Sequence, residues 1–153
     1  MTSKLNRIYW DSTAFICFLR KYEGERRGIC EDILYHARGG QVSLFTSTFT
    51  ITEVIRPRNG DVKGARHLTP EEISEIEEMF QWPWLRKIDV DQRVARKAVE
   101  LSRDYGLTPA DAIHAASALI AQADVLQHWD RSSGFSGVDR LIPVEHPHKL
   151  SYG

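Results

Sequence analysis

The alternation of short apolar runs with helical patterns is the feature that most limits what this chain can fold into. Arg7 to Trp10 (RIYW), 42–46 (VSLFT), 85–90 and 124–129 each read as a strand, and helical patterns separate them. A last short strand is expected at 141–144. Helices between successive strands are typical of a largely parallel sheet covered on both faces. The pattern therefore predicts an α/β fold.

Size and charge narrow the class of protein further. The chain has 153 residues, 42% of them hydrophobic, which suits one globular core, and no repeat or linker divides it. We therefore predict a single domain over residues 1–153. A net charge of −1 excludes a global positive field, so any nucleic-acid binding must come from local patches.

Cysteine content and hydropathy bear on the compartment. Cys17 and Cys30 lie in apolar helical contexts, which argues against a disulfide framework or a cysteine-based zinc site and indicates buried thiols. No export signal is recognisable, and no apolar run approaches the length that spans a bilayer. We expect a cytoplasmic protein without a membrane segment.

Four carboxylates fall where parallel α/β sheets carry their functional sites. Asp11 and Asp130 directly follow predicted strands, Glu53 lies early in the helix after the second strand, and Asp111 lies in the first turn of its helix. Each residue alone is also explained as an N-cap, a solvated helical residue or a turn residue. Ligands bind at the carboxyl ends of parallel strands, so we expect these four acids to face one crevice.

The joint placement of the acids indicates a metal site. Carboxylates that converge in a partly buried pocket repel one another, and a hard divalent cation between them removes that repulsion. Ligand sets made only of oxygen favour Mg²⁺ or Mn²⁺ over zinc. No Ser/His/Asp or Cys/His arrangement competes with this interpretation.

Four segments together resemble PIN domains, in the short form of the VapC-type toxin ribonucleases. They are IYWDSTAFICFL, TFTITEVIRP, LTPADAIHAASAL and DVLQHWDRSSGF, and their acids are 42, 58 and 19 positions apart. The resemblance covers nearly the whole chain. It implies a three-layer α/β/α sandwich around a mostly parallel sheet. It also implies a metal-dependent ribonuclease with an RNA substrate, a homodimer, and an antitoxin partner that blocks the pocket.

The resemblance also assigns roles to residues. Asp11, Glu53 and Asp111 match the three main acidic positions of the family and Asp130 matches the fourth, so all four are candidate catalytic residues and ligands of Mg²⁺ or Mn²⁺. Ser12 matches a small hydroxyl residue that often follows the first acid.

The chain departs from the family pattern near the fourth acid. The family frequently has threonine two residues before it, whereas this chain has His128 there, followed by Trp129, and Phe135 lies further from Asp130 than usual. His128 either hydrogen-bonds to the pocket or is an exposed residue at the loop edge.

Three other features have both functional and structural interpretations. His114 follows Asp111 at i to i+3, which predicts a packed residue that braces Asp111, against metal ligation or proton transfer. The WPW at 82–84 either stacks on bases or, as we favour, buries a helix end. An irregular basic segment is a candidate RNA- or partner-binding patch, or else ordinary solvated charge; its cations include Arg56, Arg58, Lys63 and Arg66.

Three functions remain open at this point. The preferred one is a metal-dependent endoribonuclease that is the toxin of a type II toxin–antitoxin system. The second is a PIN-like RNA-processing nuclease without an antitoxin. The third is a non-catalytic PIN-like module that binds RNA or protein, which the retention of all four acids disfavours.

Overall fold

A computed structural model describes residues 5–19, 24–55, 68–130 and 134–150. Strands and helices alternate in these ranges as the hydrophobic pattern predicts. The strands are β1 (Arg7–Trp10), β2 (Ser43–Ser47), β3 (Leu85–Ile88), β4 (Val125–Gln127) and β5 (Val144–Glu145). The helices are α1 (Ser12–Leu19), α2 (Glu25–Arg38), α3 (Thr48–Ile55), α4 (Pro70–Phe80), α5 (Gln92–Tyr105) and α6 (Pro109–Ile120), with a 3₁₀ helix at Gly134–Val138.

The strands of the described ranges form one sheet in the order β3-β2-β1-β4-β5. Every neighbouring pair is parallel, with Ile8 opposite Leu44 on one side and opposite Val125 on the other. The first strand in the chain is therefore the central strand of the sheet. The predicted parallel sheet is confirmed.

Alternate residues of the strands pack into two separate hydrophobic cores, one on each face of the sheet. Ile8 and Trp10 pack with α1, α2, α3 and α4 on one face. Tyr9, between them, packs with α5, α6 and the 3₁₀ helix on the other face. Successive side chains of a strand point to opposite faces, so a strand buried on both sides is mostly apolar and lacks the polar alternation of a half-exposed strand. The predicted three-layer α/β/α sandwich is confirmed.

Local sequence determines where several helices begin and end. Thr69 caps α4 in a full capping box: its hydroxyl accepts from the Glu72 N–H, and the Glu72 carboxylate accepts from the Thr69 N–H. Helix α5 begins at an Asp91 cap and ends at Gly106, whose φ of 69° is left-handed and favours glycine. Gly106 therefore ends α5 and lets the chain turn towards α6.

The last strand differs from its prediction. It was expected at 141–144 but spans Val144–Glu145. Leu141 and Ile142 instead donate their N–H groups to the Val138 carbonyl in a turn, and Pro143 has no N–H to offer a neighbouring strand.

Two predictions about packing are confirmed. Cys17 and Cys30 are buried, and neither forms a disulfide within the described residues. Trp82 and Trp84 stack on each other, with ring centroids 4.8 Å apart, and pack against the α1–α4 core. Among the described residues, no helix is long and apolar enough to cross a bilayer.

Candidate active site

The topology of the sheet gathers the acidic segments at one edge. Asp11 comes directly after β1, and Glu53 lies in α3, which follows β2 without a break. Asp130 comes three residues after the end of β4, and Asp111 lies in the first turn of α6. Because β2, β1 and β4 are parallel neighbours, their carboxyl ends meet at the same edge of the sheet.

Asp11 is a buried carboxylate, only 4% exposed. Burial raises the pKa of Asp11 from 3.8 to about 6, and the charge of Glu53 acts in the same direction. His114 and the hydrogen bonds from Thr13 lower the pKa but do not cancel the effect of burial. Ionisation of Asp11 is therefore less favourable in the folded protein than in the unfolded chain.

Thr13 links Asp11 to the loop that carries the fourth acid. Its N–H and hydroxyl both donate to Asp11 Oδ1, at 3.0 and 2.6 Å. The same hydroxyl accepts from the Trp129 N–H at 2.8 Å. Ser12 is the buried first residue of α1, but the hydroxyl that contacts Asp11 is that of Thr13.

Glu53 is held by a hydrogen-bonded chain that begins in β1. Its Oε1 lies 2.5 Å from His114 Nε2, and His114 Nδ1 lies 2.8 Å from the Tyr9 hydroxyl. Burial, reinforced by the nearby Asp11 carboxylate, raises the pKa of Tyr9 well above its usual value. Both ring nitrogens of His114 are thus engaged away from Asp111, so the bracing of Asp111 that the i to i+3 spacing predicts is not found.

Asp111 is fixed at the start of its helix by its neighbours. Thr108 caps α6 and accepts from the Asp111 N–H at 3.3 Å. The Asp111 carboxylate in turn accepts from the Gly134 N–H at 3.3 Å, which joins α6 to the 3₁₀ helix. Asp111 therefore both begins a helix and presents its carboxylate at the edge of the site.

His128 lies beside the third and fourth acids. It is 7% exposed, so the alternative of an exposed loop-edge residue is wrong. Its ring packs edge-on against Phe135 at 5.0 Å and lies 5.9 Å from the His146 ring. Burial lowers the pKa of His128, and so does His146, whereas the carboxylates of Asp130 and Asp111 oppose the shift.

The donor chemistry of these residues fits a hard divalent cation. Carboxylate oxygens are the ligands that Mg²⁺ and Mn²⁺ prefer, and a cation would stabilise the ionised form that burial disfavours at Asp11. In the ranges that the structure describes, however, no three His, Cys, Asp or Glu side chains are grouped to hold a metal. The protein alone does not preform a complete cation site there.

The candidate basic patch lies elsewhere in the chain. Arg56, Arg58, Lys63 and Arg66 fall in 56–67, outside the described residues, so the interpretation of that segment stays a prediction.

Two residues of this site escaped the sequence analysis. In the sequence, Tyr9 counts as one more apolar position of a buried strand. Thr13 is overlooked because the adjacent Ser12 is chosen as the hydroxyl residue that follows Asp11. A tyrosine within a fully buried strand was the available signal, because its hydroxyl must find a hydrogen-bond partner.

Comparisons with known proteins agree with the fold. The family model of the PIN domain matches residues 8–141. A chain of a toxin–antitoxin complex from Klebsiella pneumoniae superposes with a TM-score of 0.63 at 19% identity, over 94% of this chain and 99% of that one. VapC20 of Mycobacterium tuberculosis, a toxin that cleaves the sarcin–ricin loop, has a TM-score of 0.61 at 12% identity, over 82% and 91%. No curated protein sequence matches the chain.

Proposed function

The chain belongs to the PIN domain family, and from that premise we propose that it is a metal-dependent endoribonuclease, the toxin of a type II toxin–antitoxin pair. The observation that carries this proposal is the buried carboxylate of Asp11, with its pKa raised to about 6 by burial and by Glu53. A purely structural residue gains nothing from such an environment. Perturbed carboxylates of this kind mark functional sites.

Each acid has a place in this proposal. Asp11 and Asp111 hold Mg²⁺ or Mn²⁺ directly, and Glu53 and Asp130 orient the surrounding water. When bound, the cation supplies an activated water and neutralises charge on the phosphoryl oxygens. Thr13, His114 and the Gly134 N–H hold the carboxylates of Asp11, Glu53 and Asp111 in their positions.

The choice of a toxin over an RNA-processing nuclease has its own support. Among the solved structures with similar folds, one is a chain of a toxin–antitoxin complex and another is a toxin. The proposal therefore includes RNA as substrate, a cognate antitoxin, a homodimer and a cytoplasmic location. The basic segment with Arg56, Arg58, Lys63 and Arg66 is proposed to contact the RNA or the antitoxin.

Cleavage of structured RNA by the purified protein tests this function. A pool that includes tRNA is incubated with Mg²⁺, with Mn²⁺ and with EDTA, and the fragments are separated on denaturing gels. We expect cleavage that EDTA abolishes and that Asp111→Asn abolishes without loss of the circular dichroism spectrum. Asp104→Asn, which removes an exposed carboxylate of α5, is the matched control and should cleave as the parent does.

Other outcomes separate the competing functions. Binding of RNA without metal-dependent cleavage would favour the non-catalytic module and refute the proposal. Cleavage that no protein encoded beside this chain inhibits would favour the RNA-processing nuclease.

A further inference from the structure

A buried chain of three polar side chains connects the central strand to Glu53. The Tyr9 hydroxyl lies 2.8 Å from His114 Nδ1, and His114 Nε2 lies 2.5 Å from Glu53 Oε1. The three residues come from β1, α6 and α3; Tyr9 and His114 are 105 positions apart in the sequence, and His114 and Glu53 are 61 positions apart. Local helix or strand formation does not explain contacts so distant in sequence.

Chemistry fixes the direction of the hydrogen bond to Glu53 and permits the Tyr9 hydroxyl to be the donor in the other. A carboxylate only accepts, so His114 Nε2 carries the proton that faces Glu53. A tyrosine hydroxyl is protonated at neutral pH, since its ordinary pKa is about 10, and can donate to the other ring nitrogen. With Nδ1 accepting from Tyr9, the imidazole is held as the tautomer that donates to Glu53.

Packing holds the ring in this orientation. His114 is 2% exposed, and the rings of Tyr9 and Phe49 each lie with their centroids 5.9 Å from its own. The Glu53 side chain is 26% exposed, so solvent reaches it although its Oε1 is hydrogen-bonded to a buried ring. The packed His114 ring therefore restricts the orientation of the Glu53 carboxylate.

We infer that Tyr9 and His114 are positioning residues, which hold one carboxylate oxygen of Glu53 and leave the other for the cation or its water. This inference rests on the proposed function. Partners that hydrogen-bond to metal-binding side chains orient them, and their loss typically weakens metal binding by about 10- to 100-fold. The arrangement also explains a histidine within the alanine-rich face of α6, which packing alone does not require.

The alternative is a purely structural network that satisfies buried polar groups. In that case removal of one member destabilises the fold but leaves the affinity of the folded protein for a cation unchanged. Metal binding, measured independently of activity, therefore separates the two roles.

The test is a titration with Mn²⁺ in which electron paramagnetic resonance measures the concentration of the free ion. Tyr9→Phe removes only the hydroxyl that holds the ring, and Tyr35→Phe removes a hydroxyl that is exposed on α2 as the matched control. We expect Mn²⁺ affinity to fall by about 10-fold or more in Tyr9→Phe and to be unchanged in Tyr35→Phe.

A second pair of variants keeps the test valid if Tyr9→Phe folds poorly. Glutamine at position 114 can still present an N–H near the position of Nε2, whereas asparagine is too short to reach Glu53 and can only contact Tyr9. His114→Gln should therefore retain more Mn²⁺ affinity than His114→Asn. Equal losses would assign the effect to packing and overturn the inference.

Nitrogen NMR of the imidazole reads the network directly. In the parent protein with EDTA, we expect His114 to carry its proton on Nε2 and not on Nδ1, and Tyr9→Phe to change this signature. A parent protein that binds no Mn²⁺ would refute the proposed metal site itself. Parent binding that is unchanged in Tyr9→Phe and His114→Asn would refute the positioning role alone.

Discussion

Replacement of Asp11 by asparagine should make the metal-free protein more stable. The carboxylate is buried, and its pKa is raised from 3.8 to about 6. One unit of pKa corresponds to about 1.4 kcal/mol, so ionisation of Asp11 at neutral pH costs the fold about 3 kcal/mol. Asparagine keeps the Oδ1 that accepts both hydrogen bonds from Thr13, but it carries no charge.

The direction of the pKa shift of Asp11 determines how the stability difference between Asp11→Asn and the parent depends on pH. Because the pKa of Asp11 is higher in the folded state than in the unfolded state, the folded state binds more protons between pH 3.8 and 6. The parent is therefore penalised progressively as pH rises, and the penalty is complete above the folded pKa. The advantage of Asp11→Asn should be about 3 kcal/mol at pH 8 and about half of that at pH 5.

Urea unfolding at both pH values, in EDTA, measures this difference. For a chain of this length, about 3 kcal/mol corresponds to a rise of about 6–12 °C in the unfolding temperature. Asp104→Asn is the control, since a hydrogen bond from Arg103 lowers the pKa of that exposed carboxyl and its removal should not stabilise the fold. Under the proposed function, added Mg²⁺ should reduce the stability difference between Asp11→Asn and the parent, because a cation that binds only the folded parent stabilises it.

The reasoning fails if Asp11→Asn is no more stable than the parent at pH 8 in EDTA. It also fails if the gain does not grow between pH 5 and pH 8. Either result would mean that the buried carboxylate is already compensated within the protein and needs no cation.

Three further predictions concern stability and are measured by denaturant unfolding in EDTA. Thr13→Val removes the hydroxyl that links Asp11 to the loop after β4 and should lower the free energy of unfolding by about 1–3 kcal/mol. The control Thr52→Val, on the exposed side of α3, should change it by less than about 0.5 kcal/mol. Equal effects of the two variants would contradict this role of Thr13. Gly106→Ala forces a left-handed φ on alanine and should cost about 1–2 kcal/mol, while Gly28→Ala, inside α2 with open space around the new methyl group, should gain about 0.5–1 kcal/mol. Burial lowers the pKa of His128 below its usual 6.5, so the folded state favours the neutral ring and stability should fall as the pH drops below 6.5. His128→Gln should weaken this pH dependence of stability. An unchanged pH dependence in the variant would contradict the role given to His128.

The fold was predictable because its strands are buried on both faces. Such strands are mostly apolar and show no alternation of polar and apolar positions, which distinguishes RIYW and SLFTS from the amphipathic helices around them. The positions of three acids were predictable for a related reason, since Asp11 follows β1, Asp130 lies in the loop after β4 and Asp111 lies in the first turn of α6. Glu53 lies in the second half of α3 rather than early in it, and the roles of all four acids stay a prediction. The extent of the domain over 1–153 stays a prediction.

The partners of the acids were not predictable from spacing. Ser12 and Thr13 are adjacent hydroxyl residues, and only the phase of α1 decides which of them meets Asp11. The i to i+3 rule places His114 beside Asp111 on the surface of one helix, but the ring points across the sheet to Tyr9 and Glu53. Pairings between elements far apart in sequence depend on packing, which local patterns do not encode.

The central position of β1 has a consequence for synthesis on the ribosome. Ile8 emerges from the ribosome long before its partner Val125 in β4. The Thr13 hydroxyl likewise waits for Trp129, 116 residues later. At about 5–20 residues per second, the nascent chain spends roughly 5–25 s with its central strand half paired and its acids apart. Under the proposed function, a chain cut short before β4 would lack Asp130 and the contact between Thr13 and Trp129, so its acidic pocket would stay incomplete.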